Sequence, residues 1–259
     1  MSVSRLVLVT GASSGIGQAL AAHALEAGDR VVLVARRVEL LRAWAESLPQ
    51  ARGRIALYGT DVRDTRAMAE MGRACIAAHG VPDVVIANAG ISVGMDSADF
   101  EDLQVLQDTL EINVLGLAAT FHPFIAAMRE RRAGTLVGMG SVAALRGLPG
   151  HGAYCASKAA AVAYCESLRG ECRPHGVRVL TVSPGYVDTP LTQGNPYPMP
   201  FLMTPEAFAA SAWRAINAGD SYRVIPWPMA LVAKLLRLLP NALFDRLFAG
   251  RPRKPRRAQ

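Results

Sequence analysis

The stretch RLVLVTGASSGIG (residues 5–17) joins an aliphatic run to a glycine-rich turn and then to an alanine-rich segment. An apolar run without polar alternation reads as a strand buried on both faces, and the alanine-rich residues to about Ala27 read as a helix. Three glycines punctuate the junction. Gly11 permits a tight turn, while Gly15 and Gly17 let the backbone approach a ligand and let the helix pack on the strand. A phosphate over such a turn lies at a helix N-terminus, where free N–H groups and the helix dipole favour anions. The spacing is G-x-x-x-G-x-G.

The same grammar recurs down the chain. RVVLVA (30–35), RIALYGTDV (54–62), PDVVIANAG (82–90), GTLVGMGSV (134–142) and VRVLTVSPG (177–185) alternate with helical stretches. These end near Ser47, His79 and Arg132, and a further helix covers roughly 153–173. Buried strands alternating with helices predict an α/β fold: a doubly wound parallel sheet in a single Rossmann-type domain with helices on both faces. No linker divides the chain. Residues 1–190 are expected to form the dinucleotide-binding and catalytic core, 191–250 a substrate loop and C-terminal helices of the same domain, and 251–259 a basic flexible tail. Ligands of such sheets bind outside the carboxyl ends of the strands. That places the site at Thr10–Gly17, after Ala35, at Asp61, at Asn88–Gly90, at Ser141 and from Pro184 onward.

Composition narrows the classes. Of 259 residues, 51% are hydrophobic and 19% charged, which fits a folded globular chain and excludes a disordered one. The formal charge is +7, but RPRKPRRAQ (251–259) carries much of it with no acid, and the remaining body is near neutral. A short basic terminus is read as solvated, with contact to nucleic acid or anionic lipid as the alternative; no nucleic-acid partner is expected. Cys75, Cys155, Cys165 and Cys172 lack C-x-x-C spacing and read as reduced thiols of a cytoplasmic protein. His23, His79, His122, His151 and His175 are scattered, so no metal site is expected. The N-terminus shows no cleavable apolar segment. The apolar stretch 229–248 is interrupted by Lys234, Arg237, Pro240 and Asp245, too often for a membrane span.

Two further features carry chemistry. The second strand ends VVLVARR (31–37), placing Arg36 and Arg37 where an acid would hold a ribose 2′-OH. Guanidiniums there suit a 2′-phosphate, which predicts NADP(H) over NAD(H). In GAYCASKAAA (152–161), Tyr154 and Lys158 lie four positions apart, one helical turn, on one face. A phenol of pKa about 10 is a poor proton partner at neutral pH. An adjacent ammonium and a bound oxidised nicotinamide, both positive, are expected to lower it together.

Thr10–Gly17, ANAG (87–90), Asn113, Ser141, Tyr154-x-x-x-Lys158 and SPGYVDT (183–189) stand in an order and spacing that resemble the short-chain dehydrogenase/reductase superfamily, over roughly residues 5–190. The resemblance implies that Tyr154 is the general acid/base, Lys158 its tuner and ribose ligand, and Ser141 the group that holds the carbonyl oxygen. Asn113 resembles the residue that holds a water linking Lys158 to solvent. The resemblance also implies a cofactor envelope. Gly11, Ser13, Ser14, Gly15, Ile16 and Gly17 hold phosphate, Arg36 and Arg37 the 2′ position, and Asp61 with Val62 the adenine. Asn88, Ala89 and Gly90 line the dinucleotide, and Pro184, Gly185, Val187 and Thr189 face the nicotinamide. Ala87 departs from the family's more usual Asn. A homodimer or homotetramer is implied.

Beyond Pro184, four prolines within 190–203 predict a substrate-covering loop before a helix starting near Thr204. Tyr186, Tyr197, Met199 and Phe201 are candidates for an apolar pocket or for plain packing, and Arg146 and His151 for contact with a polar substrate group. The segment 229–248 packs on the body or across a dimer in the favoured reading, and lies at a membrane surface with the tail in the other. The function expected is a carbonyl–alcohol oxidoreductase acting on a lipophilic small molecule. The alternatives are a 3-oxoacyl-thioester reductase, an NAD(H)-dependent hydroxysteroid-like dehydrogenase, and a catalytically idle dinucleotide-binding regulator.

Overall fold

The structure is a computed structural model and describes residues 4–256. Seven parallel strands form one sheet in the order β3-β2-β1-β4-β5-β6-β7. They are β1 Leu6–Thr10, β2 Arg30–Ala35, β3 Ile55–Gly59, β4 Val84–Ala87, β5 Thr135–Met139, β6 Arg178–Pro184 and β7 Tyr222–Ile225. Helices α1 Gly15–Glu26, α2 Val38–Glu46, α3 Thr65–His79, α4 Asp102–Leu110, α5 Gly116–Arg131 and α6 Gly152–Cys172 fill the crossovers. The chain finishes with α7 Pro205–Ala218, α8 Trp227–Leu238 and α9 Asn241–Phe248. The doubly wound architecture is the one expected, and the strand order reverses between β1 and β4.

The unbroken apolar runs are explained by burial on both faces. In β1, Val7 and Val9 join the core under α1 and α7, while Leu6 and Leu8 join the core under α3, α5 and α6. β2 repeats this, with Val31 and Leu33 on one side and Val32 and Val34 on the other. Trp213 of α7 is buried and donates its indole N–H to the Leu20 carbonyl at 3.0 Å, closing the first layer. Phe121, Phe124 and Met128 of α5 are fully buried in the second. Each such side chain contributes roughly 1.5–3 kcal/mol by leaving water.

Three features differ from the sequence reading. β7 was not expected. It pairs Tyr222–Ile225 with Thr181–Pro184, so the C-terminal region extends the same sheet. The long helix ending at Arg131 is interrupted by a π-helical turn, Glu111–Leu115, which contains Asn113. The basic tail, expected to be solvated, lies against the body over residues 251–256, while 257–259 fall outside the described residues. The helix expected near Thr204 is present, and the Thr204 hydroxyl accepts from the Ala207 N–H at 3.2 Å as its N-cap.

Candidate active site

A cavity of about 1070 Å³ runs along the carboxyl ends of the strands, at the upper limit of ordinary ligand sites. The residues expected to envelop the cofactor line it, apart from Gly17. Gly11 and Gly15 have φ of +66° and +56°, the left-handed region that glycine adopts without strain. Gly17 stands behind the turn, where a methyl group would come within 2.5 Å of the Asn88 amide nitrogen. That amide nitrogen donates to the carbonyls of Thr10 (3.1 Å) and Gly11 (3.3 Å), tying the end of β4 to the turn after β1. Ser14, the N-cap of α1, makes no side-chain cap, so the first N–H groups of α1 face the cavity wall without an internal partner.

Arg36 and Arg37 both line the cavity at the end of β2. Asp61 accepts from Arg63 through its backbone N–H (3.0 Å) and guanidinium (2.7 and 3.1 Å). Partial burial pushes the Asp61 carboxyl up, but the Arg63 hydrogen bonds and charge, with Arg36 further off, hold it below the usual carboxylate range. Arg63 was absent from the sequence reading; an Arg two residues after a strand-end Asp was the available signal.

The catalytic candidates are held from behind. Ser141, buried at the end of β5, accepts the Ala143 N–H at 3.1 Å and lines the cavity with Tyr154, close enough to lower the phenol. Lys158, one turn beyond Tyr154 on α6, is buried and donates to the Met139 carbonyl at 2.8 Å. Its ammonium lies 5.8 Å from the Tyr154 ring centre. Burial pushes Lys158 down to about 8. Burial likewise pushes the Tyr154 phenol up, and Ser141 offsets this only in part. In the protein alone desolvation is the largest influence on Tyr154, whereas the lowering expected of Lys158 was expected jointly with a bound oxidised nicotinamide.

Asn113 does not line the cavity. Its side chain accepts the Ile91 N–H and donates to the Ile91 carbonyl, both at 2.9 Å, and donates to Ser157 at 2.9 Å. It locks the loop after β4 to α6. The π turn aims it there, as such bulges often do at functional sites. Gly90 separates it from Lys158.

At the outer end, Tyr186 and Tyr197 line the cavity with ring centres 6.4 Å apart. Met199 and Phe201 do not line it, and Phe201 is about half exposed (52%). His151 lines the cavity 5.8 Å from the Tyr197 ring, its imidazole held below the usual range by burial and by Lys254. Arg146 is not free for substrate. It donates to the carbonyls of Leu236 and Leu239, each at 2.6 Å, and to Asn241 at 3.0 Å, and stacks 3.9 Å over Phe244. It pins α8 and α9 to the loop after β5. The inner face of α8, including Met229 and Ala233, lines the cavity as the packing reading expected, but Trp227, Leu231, Leu235 and Leu238 remain exposed.

The sequence profile of the short chain dehydrogenases matches residues 5–197. An uncharacterized oxidoreductase of Myxococcus xanthus is 39% identical over 241 residues, covering 93% of this chain and 95% of that protein. A Burkholderia cenocepacia short chain dehydrogenase solved in complex with NADP is 25% identical, with a TM-score of 0.81 over 95% of this chain and 98% of that one. A Thermococcus sibiricus alcohol dehydrogenase complexed with 5-hydroxy-NADP is 26% identical, with a TM-score of 0.77 over 86% of this chain and 96% of that one. With the family model matching most of the chain, the chain belongs to the short-chain dehydrogenase family of oxidoreductases.

Proposed function

We propose that the protein is an NADP(H)-dependent oxidoreductase interconverting a lipophilic carbonyl compound and its secondary alcohol. The observation that carries this reading is that Ser141, Tyr154 and Lys158 line the same cavity as the glycine turn. The glycine turn, the uncapped start of α1 and the Arg36–Arg37 pair fit a dinucleotide with a 2′-phosphate. When bound, the reduced nicotinamide supplies the hydride. The chain supplies the rest. Ser141, its oxygen already oriented by the Ala143 N–H, donates to the carbonyl oxygen and fixes its angle. Tyr154 donates the proton to that oxygen. A phenol pushed up by burial is protonated at neutral pH and able to donate in the reduction, and the same group accepts the proton in the oxidation. Lys158, an ammonium below pH about 8, is placed to hold ribose hydroxyls and to return Tyr154 its proton. Asn113 positions α6 and the loop after β4 without touching the reacting atoms.

Apolar side chains at the outer end, among them Leu145, Met229 and Leu236, support a lipophilic substrate. The exposed Leu103, Leu110 and Leu115 support a homo-oligomer with these helices at the contact. Four buried, unbridged cysteines fit a cytoplasmic setting. The test is consumption of NADPH and of NADH, separately, against carbonyls graded from short aldehydes to long-chain ketones, 3-oxoacyl thioesters and steroids. Preferential use of NADPH with bulky apolar ketones is expected. Thioester-only activity assigns the alternative reductase, and tight NADPH binding without any turnover assigns the regulator.

A further inference from the structure

The C-terminal strap has a built seat. The Gly94 N–H donates to the Pro255 carbonyl at 3.0 Å, and any side chain at Gly94 would collide with the Lys254 carbonyl. Arg256 pairs with Asp99 and, at 2.7 Å, with the buried Asp102. This clasp fixes Lys254 in the outer wall of the cavity, beside His151. Lys254 is half-buried, and its ammonium donates to the Leu191 carbonyl at 2.7 Å, bridging strap and substrate loop. Among the described residues no carboxylate pairs with it, and the one acid lining the cavity, Asp61, lies at the opposite, adenine end. A partly desolvated ammonium in the cavity wall, hydrogen-bonded to one carbonyl and with no carboxylate beside it, has donors left to meet an anion. Burial alone pushes it down to about 8, which leaves it charged at neutral pH. The cavity that Lys254 shares with Tyr154 is lined also by Leu148, Tyr186 and Tyr197, with His151 and Arg251 among the further basic side chains from the segments around it.

We infer that the outer end of the cavity is a subsite for the anionic head of an amphiphilic substrate, a carboxylate or phosphate monoester paired with Lys254, with the apolar chain running inward to the carbonyl at Tyr154. This names the substrate class of the reaction proposed above and rests on that reading. A charge-assisted hydrogen bond in a partly desolvated wall favours the acid over an equally long neutral molecule.

Calorimetric titration of the full chain loaded with NADP+ tests this with octanoate, octyl phosphate and methyl octanoate. The anions should bind at least about tenfold tighter than the ester. Lys254→Met should bring that ratio close to one, and Lys254→Arg should retain it. A tighter octyl phosphate supports the subsite and assigns the phosphate head; a tighter octanoate assigns the carboxylate. An ester that binds as well as both anions, or a ratio untouched by Lys254→Met, overturns the inference. Binding is read without turnover, so anion binding with no consumption of reduced nicotinamide by any carbonyl leaves the subsite standing and overturns the reaction.

Discussion

The two ends of the cavity are built by different means. The inner end is anchored on backbone groups: a turn with two glycines at positive φ, the Thr10 and Gly11 carbonyls that accept from the Asn88 amide, and the Met139 carbonyl that accepts from Lys158. The outer end is made of long side chains from distant segments. Arg146 reaches 93 residues along the chain to the Leu239 carbonyl, and Lys254 reaches 63 residues back to Leu191. Backbone construction gives a rigid seat for an invariant molecule. Side-chain construction gives a pocket whose shape depends on three or four contacts, any of which a substitution can rewrite. In the function proposed above, cofactor binding falls to the strand ends and substrate choice to the loop after β5 and the C-terminal segments.

The strongest test of the rigid end is electrostatic. Lys158 sits near 8 in the folded protein, against 10.5 for the ordinary side chain. Between those values the unfolded chain binds the extra proton, so the stability contributed by this group rises with pH across the window and is flat below it. The stability of wild type relative to Lys158→Met should therefore rise by on the order of 3 kcal/mol from pH 8 to 10.5. A flat difference would remove the buried ammonium from the account. Gly17→Ala comes next. A methyl group 2.5 Å from the Asn88 amide nitrogen forces the turn apart, at a cost of about 2 kcal/mol. The unfolding temperature and the affinity for NADPH should fall together.

At the other end, Arg146→Met removes four hydrogen bonds from one guanidinium, a loss of about 2 kcal/mol. Faster hydrogen exchange is expected in α8 and α9, with the strands unchanged. Uniform acceleration through β1 and β4 would dissolve the contrast between the ends. The smallest effect is at Arg36→Ala. NADPH binding should weaken about tenfold relative to NADH, and equal weakening of both would take the 2′-phosphate away from this residue.

The asymmetry also explains what could be read in the sequence. Six strands and the strand-end residues from Gly11 to Thr189 were legible, because parallel buried strands are near-continuous apolar runs and their ends need Gly, Asn, Asp or Ser. β7 was not legible. It is four residues long, two of them exposed, and only its pairing with β6 makes it a strand. The roles of Arg146 and of residues 251–256 were hidden for a related reason. Arg146 looked like a substrate ligand by position, and the tail looked like a solvated basic terminus by composition. Their partners, the end of α8 and Asp99 with Asp102, lie too far away in the chain for any local pattern to signal.

The central claim is that Tyr154 moves the proton in a site assembled for a nicotinamide dinucleotide. Tyr154→Phe removes only the hydroxyl, and NADPH titration alongside steady-state turnover of a bulky apolar ketone reads binding and chemistry separately. The account predicts NADPH affinity within about twofold of wild type and kcat lower by about 10²–10⁴-fold, the contribution of a positioned general acid. Turnover close to wild type with the phenylalanine in place would contradict it.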